Sequence, residues 1–224
     1  MSPSLNVQSY DKLTINANKV LDLPGIEGAG SIIHDVSKYH NNGTINLPTW
    51  TQLGSGLWVL DFDGSDDYVD METVIEPTVR TLELWFNADN GNTGVLEASS
   101  NFNGAPNEKG RGLRFSGVGT LEIAAASGIG GREYCNAVVT YSVWHHAVFI
   151  HDATDIYLFI DGVQVATAGC VGYTPNTTNF KFGTLPAGQS PFGGYMALER
   201  IYEVAIDSTD PMAHYQKEKS LFGL

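Results

Sequence analysis

The sequence predicts an all-β protein: two antiparallel sheets stacked as a sandwich, with one short helix near the C-terminus. Three observations predict it. Apolar residues recur mostly with period two, Asp-Gly and Asn-Gly pairs punctuate them, and a single segment carries helix signals. The chain has 224 residues, 42% of them hydrophobic, and its 25 glycines are scattered rather than gathered into a tether. That suits one all-β domain whose core needs no metal or disulfide staple.

The elements follow in chain order. Leu57 to Phe62 reads LWVLDF; Gly64-Ser65-Asp66-Asp67 turns the chain, as a hairpin, into YVDM. Thr81 to Phe86 reads TLELWF, and Trp144 to His151 reads WHHAVFIH. In Asp155 to Ile160, Ile156, Leu158 and Ile160 share one face and Tyr157 and Phe159 the other, so both faces need cover. Asp161-Gly162 then supplies two residues tolerant of positive φ, as a tight hairpin requires, before VQVATA. About 12 such segments suit two stacked sheets. Ser208-Thr209-Asp210 ahead of Pro211, with lysines late in MAHYQKEK, writes the helix. Ile32 to Tyr39 is too short for more than one turn.

Charge excludes some partners. Lysine and arginine number 12 against 25 acidic residues, a formal net charge of −13. Nucleic-acid binding needs a basic footprint, and adsorption to anionic membranes needs the same sign. No stretch approaches the roughly 20 apolar residues of a membrane span. The opening MSPSLNVQSYDKL has neither a basic nor an apolar leader region, so no signal peptide is visible. Processed, leaderless-exported and virion proteins all read this way. Cys135 and Cys170 can close one disulfide, as an extracellular placement favours; the alternative is two separate core thiols.

Catalysis finds little support. A glycoside hydrolase needs paired carboxylates in a groove, and Glu83 and Glu122 each stand alone while Asp152 and Asp155 sit at a turn. A lyase would gather Arg111, Arg114, Arg132, Tyr134 and His145, but no spacing demands that set. His145 and His146 are adjacent on a strand and point to opposite faces, so they read as structural. Asp61, Asp63, Asp66, Asp67 and Asp70 read as a structural turn more readily than as a cation site.

Six stretches, in order from about residue 20 to 220, resemble a known family. They are Leu21-Asp22-Leu23 with Gly28, Asp35-Val36-Ser37 and Asn41-Asn42-Gly43-Thr44; Phe62-Asp63-Gly64-Ser65-Asp66-Asp67-Tyr68-Val69; Leu84-Trp85-Phe86; Trp144-His145-His146-Ala147-Val148; Leu158-Phe159-Ile160-Asp161-Gly162; and Arg200-Ile201-Tyr202 with Ala205-Ile206. The chain resembles a laminin-G-like domain of the concanavalin A-like lectin/glucanase superfamily. The resemblance implies a concanavalin A-like jelly roll over residues 20–224, preceded by an extension or edge strand at 1–19. It implies carbohydrate or surface-protein partners, often a structural calcium ion, and an extracellular, cell-surface or virion setting.

On that basis Asp35, Ser37, Asn42 and Thr44, supplemented by Glu199 and Asp22, are expected to offer hard oxygens to calcium. Against this, Ala197 and Leu198 stand where many relatives carry acidic residues, and Asn101 to Arg114 is a polar excursion without a counterpart. Glycan binding asks for loop aromatics and amides: Tyr39, Trp50, Asn101, Phe102, Asn103, Tyr173, Asn176 and Phe192, with Asn179 beside them. Trp58, Trp85 and Trp144 belong to apolar strands and are expected in the core. The reading is a non-catalytic glycan-binding or adhesion module. The alternatives are a glycoside hydrolase or lyase of the same fold, and a homo-oligomeric, self-assembling surface or capsid protein.

Overall fold

A computed structural model describes residues 18–91, 94–99, 109–127 and 131–224. In chain order the strands are β1 (Lys19–Leu23), β2 (Ile32–Ile33), β3 (Gly43–Asn46), β4 (Thr49–Gln52), β5 (Trp58–Asp63) and β6 (Tyr68–Asp70). Next come β7 (Arg80–Ala88), β8 (Val95–Ala98), β9 (Arg111–Gly117), β10 (Thr120–Ser127) and β11 (Gly131–Val138). Then follow β12 (Trp144–His151), β13 (Asp155–Ile160), β14 (Val163–Gly169), β15 (Lys181–Phe182) and β16 (Gly193–Tyr202). Helix α1 (Asp210–Glu218) and a 3₁₀ turn (Lys219–Phe222) complete the chain. β2 and β15 have two residues each, too few to show an alternation in sequence.

All strand pairs are antiparallel. One sheet runs β14-β13-β12-β7-β16-β5-β4, with β1 added against β16; the other runs β11-β10-β9-β8-β15-β6-β3-β2. The jelly-roll sandwich expected from the sequence is therefore what the chain forms. Its core lies between the sheets, where Leu82, Leu84 and Phe86 of β7 meet Ile156 and Leu158 of β13 and Leu113 and Phe115 of β9. Asp161 (φ 52°) and Gly162 (φ 81°) make the β13–β14 turn with both residues left-handed. A Cβ on Gly162 would lie 2.7 Å from the Cα of Met212, so glycine there also admits α1.

One local expectation fails. Gly64 to Asp67 is not a hairpin turn, because β5 and β6 belong to opposite sheets. Its acidic residues fold it locally: Asp67 accepts from the Asp63 N–H at 2.8 Å, and Asp63 accepts from the Ser65 N–H at 2.8 Å. The helix appears where expected, but Thr209 makes no side-chain cap. Asp207 instead accepts from the Thr209 N–H and Oγ1 at 2.9 and 2.7 Å.

The outer face of the first sheet is covered. Val59, Trp85, Ala197 and Leu198 pack with Leu221 and Phe222, and the Trp85 and Phe222 rings stack 4.1 Å apart. Beside them Val148, Ile150, Phe159 and Tyr202 pack with Ile206, the cover that the doubly apolar β13 required. No helix among the described residues is long and apolar enough to cross a membrane.

Candidate functional site

Strand parity places charge inside one end of the sandwich. Arg80 shares the inward face of β7 with Leu82 and Leu84, and Arg111, Glu97 and His151 reach the same end from β9, β8 and β12. Arg80 approaches Glu97 at 2.7 Å and Glu76 at 3.4 Å; Arg111 approaches Glu76 at 3.7 Å and donates to the Pro77 carbonyl. The Arg111 guanidinium also lies 4.0 Å from the Tyr173 ring centre and donates to His151 Nδ1 at 2.9 Å. Burial, then the neighbouring Arg80 charge, pulls Arg111 down to about 9. Burial and the Arg111 charge pull His151 down to about 4, so its imidazole is neutral and accepts at Nδ1.

Glu76 and Pro77 of this group also line an open cleft of about 480 Å³, together with Val20, Tyr39, Asn41, Val74, Ile75, Pro175 and Asn176. The loop bearing Tyr39 and Asn41 is ordered by one carboxylate. Asp35, 2% exposed, accepts from the Asp22 and Ser37 N–H groups through Oδ1, and from Ser37 Oγ and the Asn41 N–H through Oδ2, all within 2.9 Å. Tyr39 emerges 47% exposed, with its hydroxyl 3.4 Å from Glu203. Asn41 Nδ2 donates to the Val20 carbonyl at 3.1 Å, leaving Oδ1 for other donors. Asn176 is tied to the Ser99 carbonyl through Nδ2 and accepts from the Thr177 N–H at 2.7 Å. A half-exposed ring, two oriented amides and rigid apolar prolines form the lining that a hydroxyl-bearing ligand requires.

Of the residues expected to bind ligand, Tyr39 and Asn176 meet at this cleft. Asn101, Phe102 and Asn103 lie outside the described residues. Trp50 packs against the core and donates to the Gly30 carbonyl at 3.2 Å, away from the cleft lining. Tyr173 is partly buried against the Arg111 guanidinium and is not part of the cleft lining. Phe192 is a correction: it is fully buried, edge-on to Phe62 at 6.0 Å, and no ligand reaches it. Asn179 lines a separate cleft of about 350 Å³ with Asp70, Thr178 and Lys181.

Of the donor set expected for calcium, Asp35, Ser37, Asn42 and Thr44 already bond to protein groups. Asp35 has its oxygens filled by N–H and O–H donors, and Thr44 Oγ1 donates to Glu72 at 2.6 Å. Asn42 Oδ1 accepts from the Asp35 N–H at 3.0 Å, and Glu199 lies on β16 opposite Leu23 of β1. The disulfide is also corrected. Cys135 and Cys170 are free, buried thiols, and burial pushes them up to about 12 and about 11.

Sequence reasoning missed Glu76, Pro77, Arg80 and Pro175. Arg80 had a signal, since it falls in phase with the inward residues of β7. It also read Glu83 as solitary. Glu83 is fully buried on the outer face of the first sheet, where His146 Nε2, Arg200, Tyr202 and His214 surround it at 2.7 to 3.1 Å. Arg200 also pairs with Glu218 of α1 at 2.9 Å, and Glu218 accepts from Trp85 Nε1 at 2.8 Å. Glu83, His146 and Glu218 thus converge, but the guanidinium already occupies the place a cation would take.

Comparison with known structures agrees with this architecture. The binding domain of paraclostridial mosquitocidal protein 1 superposes with a TM-score of 0.69 at 13% identity, over 89% of this chain and 52% of that one. The receptor-binding domain of botulinum neurotoxin type G gives 0.68 at 11% identity, over 90% and 51%. That of botulinum neurotoxin D gives 0.68 at 11%, over 92% and 54%. The chain spans about half the length of each. No curated protein matches the sequence. The sequence profile of the concanavalin A-like lectin/glucanases superfamily, in its laminin-G-like form, matches residues 63–210. With more than half of its length in that match and the sandwich in place, the chain belongs to this superfamily.

Proposed function

We propose that this domain is a non-catalytic glycan-binding or adhesion module that works outside the cell or on a cell or virion surface. One observation carries the reading: the cleft brings Tyr39, Asn41 and Asn176 together. The carboxylate that sits deepest in a histidine-rich setting, Glu83, is sealed under α1 and offers no substrate access. The likeness to toxin binding domains supports the reading at the level of fold.

Retention on a panel of immobilised oligosaccharides tests it. The parent should be retained without releasing reducing ends or unsaturated products. Tyr39→Ala should weaken retention about tenfold or more, because ring stacking is lost, with its melting temperature almost unchanged. Unaltered retention by Tyr39→Ala would place the binding surface elsewhere.

A further inference from the structure

Resting on the glycan reading of this cleft, we infer that the cleft is one end of a longer site for a linear oligosaccharide. Its second subsite is the separate cleft lined by Asp70, Thr178, Asn179, Lys181, Pro186 and Ala187. The same two chain segments line both. Val74, Ile75, Glu76 and Pro77 face the first cleft and Asp70 the second; Pro175 and Asn176 face the first, and Thr178, Asn179 and Lys181 the second.

These segments run antiparallel and are tied together between the clefts. Asp70 pairs with Lys181, the Met71 N–H donates to the Phe180 carbonyl at 3.1 Å, and the Phe180 N–H donates to the Thr73 carbonyl at 2.9 Å. Asn176 Nδ2 and Thr178 Oγ1 both donate to the Ser99 carbonyl, so one anchor holds a wall of each cleft. Extended backbone reaches at most about 14 Å from Asp70 to Val74 and about 7 Å from Asn176 to Thr178, spans that linked sugar rings cover. The second cleft carries sugar-binding chemistry of its own. The exposed Asn179 side-chain amide has no hydrogen-bond partner among the described residues, and so presents both donors and an acceptor. Lys181 lies 3.4 Å from Asp70 and 4.5 Å from the Tyr68 ring centre, which sets a charged donor beside a charged acceptor for sugar hydroxyls. Pro186 and Ala187 add apolar surface for the C–H face of a ring.

Calorimetric titration with cello-, xylo- and chito-oligosaccharides, each from monomer to hexamer, tests it. In a series that binds, affinity should rise at least about tenfold from the shortest to the longer members and then level off. Asn179→Ala should remove most of that gain. Ala187→Trp, which fills the second cleft from an exposed position, should bring the long members down to the affinity of the short ones. Both variants should keep the parent's affinity for the shortest binding member, whereas Tyr39→Ala should weaken every length. An affinity independent of length, or a gain that survives both substitutions, overturns the second subsite and leaves glycan binding standing. Binding of no member of any series overturns the second subsite together with the reading beneath it.

Discussion

Glu199→Gln should stabilise this protein at alkaline pH and do little at acid pH. Glu199 is 3% exposed on β16, within the irregularity between Ala197 and Arg200 that gives Leu198 a φ of 56°. Burial raises its carboxyl from 4.5 to about 7, opposed only by its own backbone N–H. The native state therefore holds a proton that the unfolded chain releases from about 4.5 upward, so stability falls as pH rises from 4.5 to 7 and then levels. Raising the carboxyl from 4.5 to about 7 corresponds to about 3 kcal/mol at pH values above 7. Glutamine keeps the shape and removes the charge. In thermal melts it should gain roughly 6–12 °C at about pH 8, and a degree or so at about pH 4.5. Equal differences at the two pH values would refute the argument. A variant less stable than the parent at pH 8 only when calcium is present would show Glu199 to be a cation ligand.

Three further outcomes concern the polar clusters. Glu83→Ala should cost about 3–5 kcal/mol, read by denaturant unfolding, because the buried His146, Tyr202 and Arg200 would lose their shared acceptor, leaving Arg200 only Glu218 and Asp22. Burial alone would raise the Glu83 carboxyl, but hydrogen bonds from His146 and His214 hold it well below the ordinary range. His214 is raised in turn, by Glu83 against its own burial. The His214 contribution is therefore full below about 6.5 and lost as pH rises through its raised value, and His214→Gln should flatten that part of the pH–stability profile. Asp35→Ala should cost about 3–5 kcal/mol equally in chelator and in millimolar calcium, since N–H and O–H donors already fill the carboxylate. A loss confined to calcium-containing buffer would return a cation to that loop.

What was legible in the sequence was what local rules control. Alternation along DIYLFI fixed its two faces, Asp161-Gly162 fixed its turn, and Pro211 fixed where the helix starts. Gly64 to Asp67 misled because an Asx-rich turn looks the same whether it joins neighbours in one sheet or crosses between sheets. Of the cleft, Tyr39 and Asn176 were legible because loop aromatics and amides stand out from apolar strands. Glu76 and Pro175 were not, since their meeting depends on how two distant loops close over the end of the sandwich. Phe192 was misread for a related reason. Its Pro-Gly surroundings suggest a surface loop, yet its N–H donates to the Gly183 carbonyl at 2.8 Å and the ring fills the core.

The departure at Ala197 and Leu198 explains how the outer face of the first sheet is closed. Acidic side chains there would face Trp85, Leu221 and Phe222 in a dry layer, and burying them unpaired would cost several kcal/mol each. Apolar residues at these positions let the C-terminal turn settle on β7 and β16, and Gly223 (φ 79°) ends it in the left-handed conformation. The cover leaves Trp85 fully buried and its N–H satisfied by Glu218. A sheet face so sealed cannot receive a ligand. At the end of the sandwich, by contrast, Asp35 fixes the backbone from residue 35 to 41 through hydrogen bonds and so sets Tyr39 and Asn41 on the wall of an open cleft.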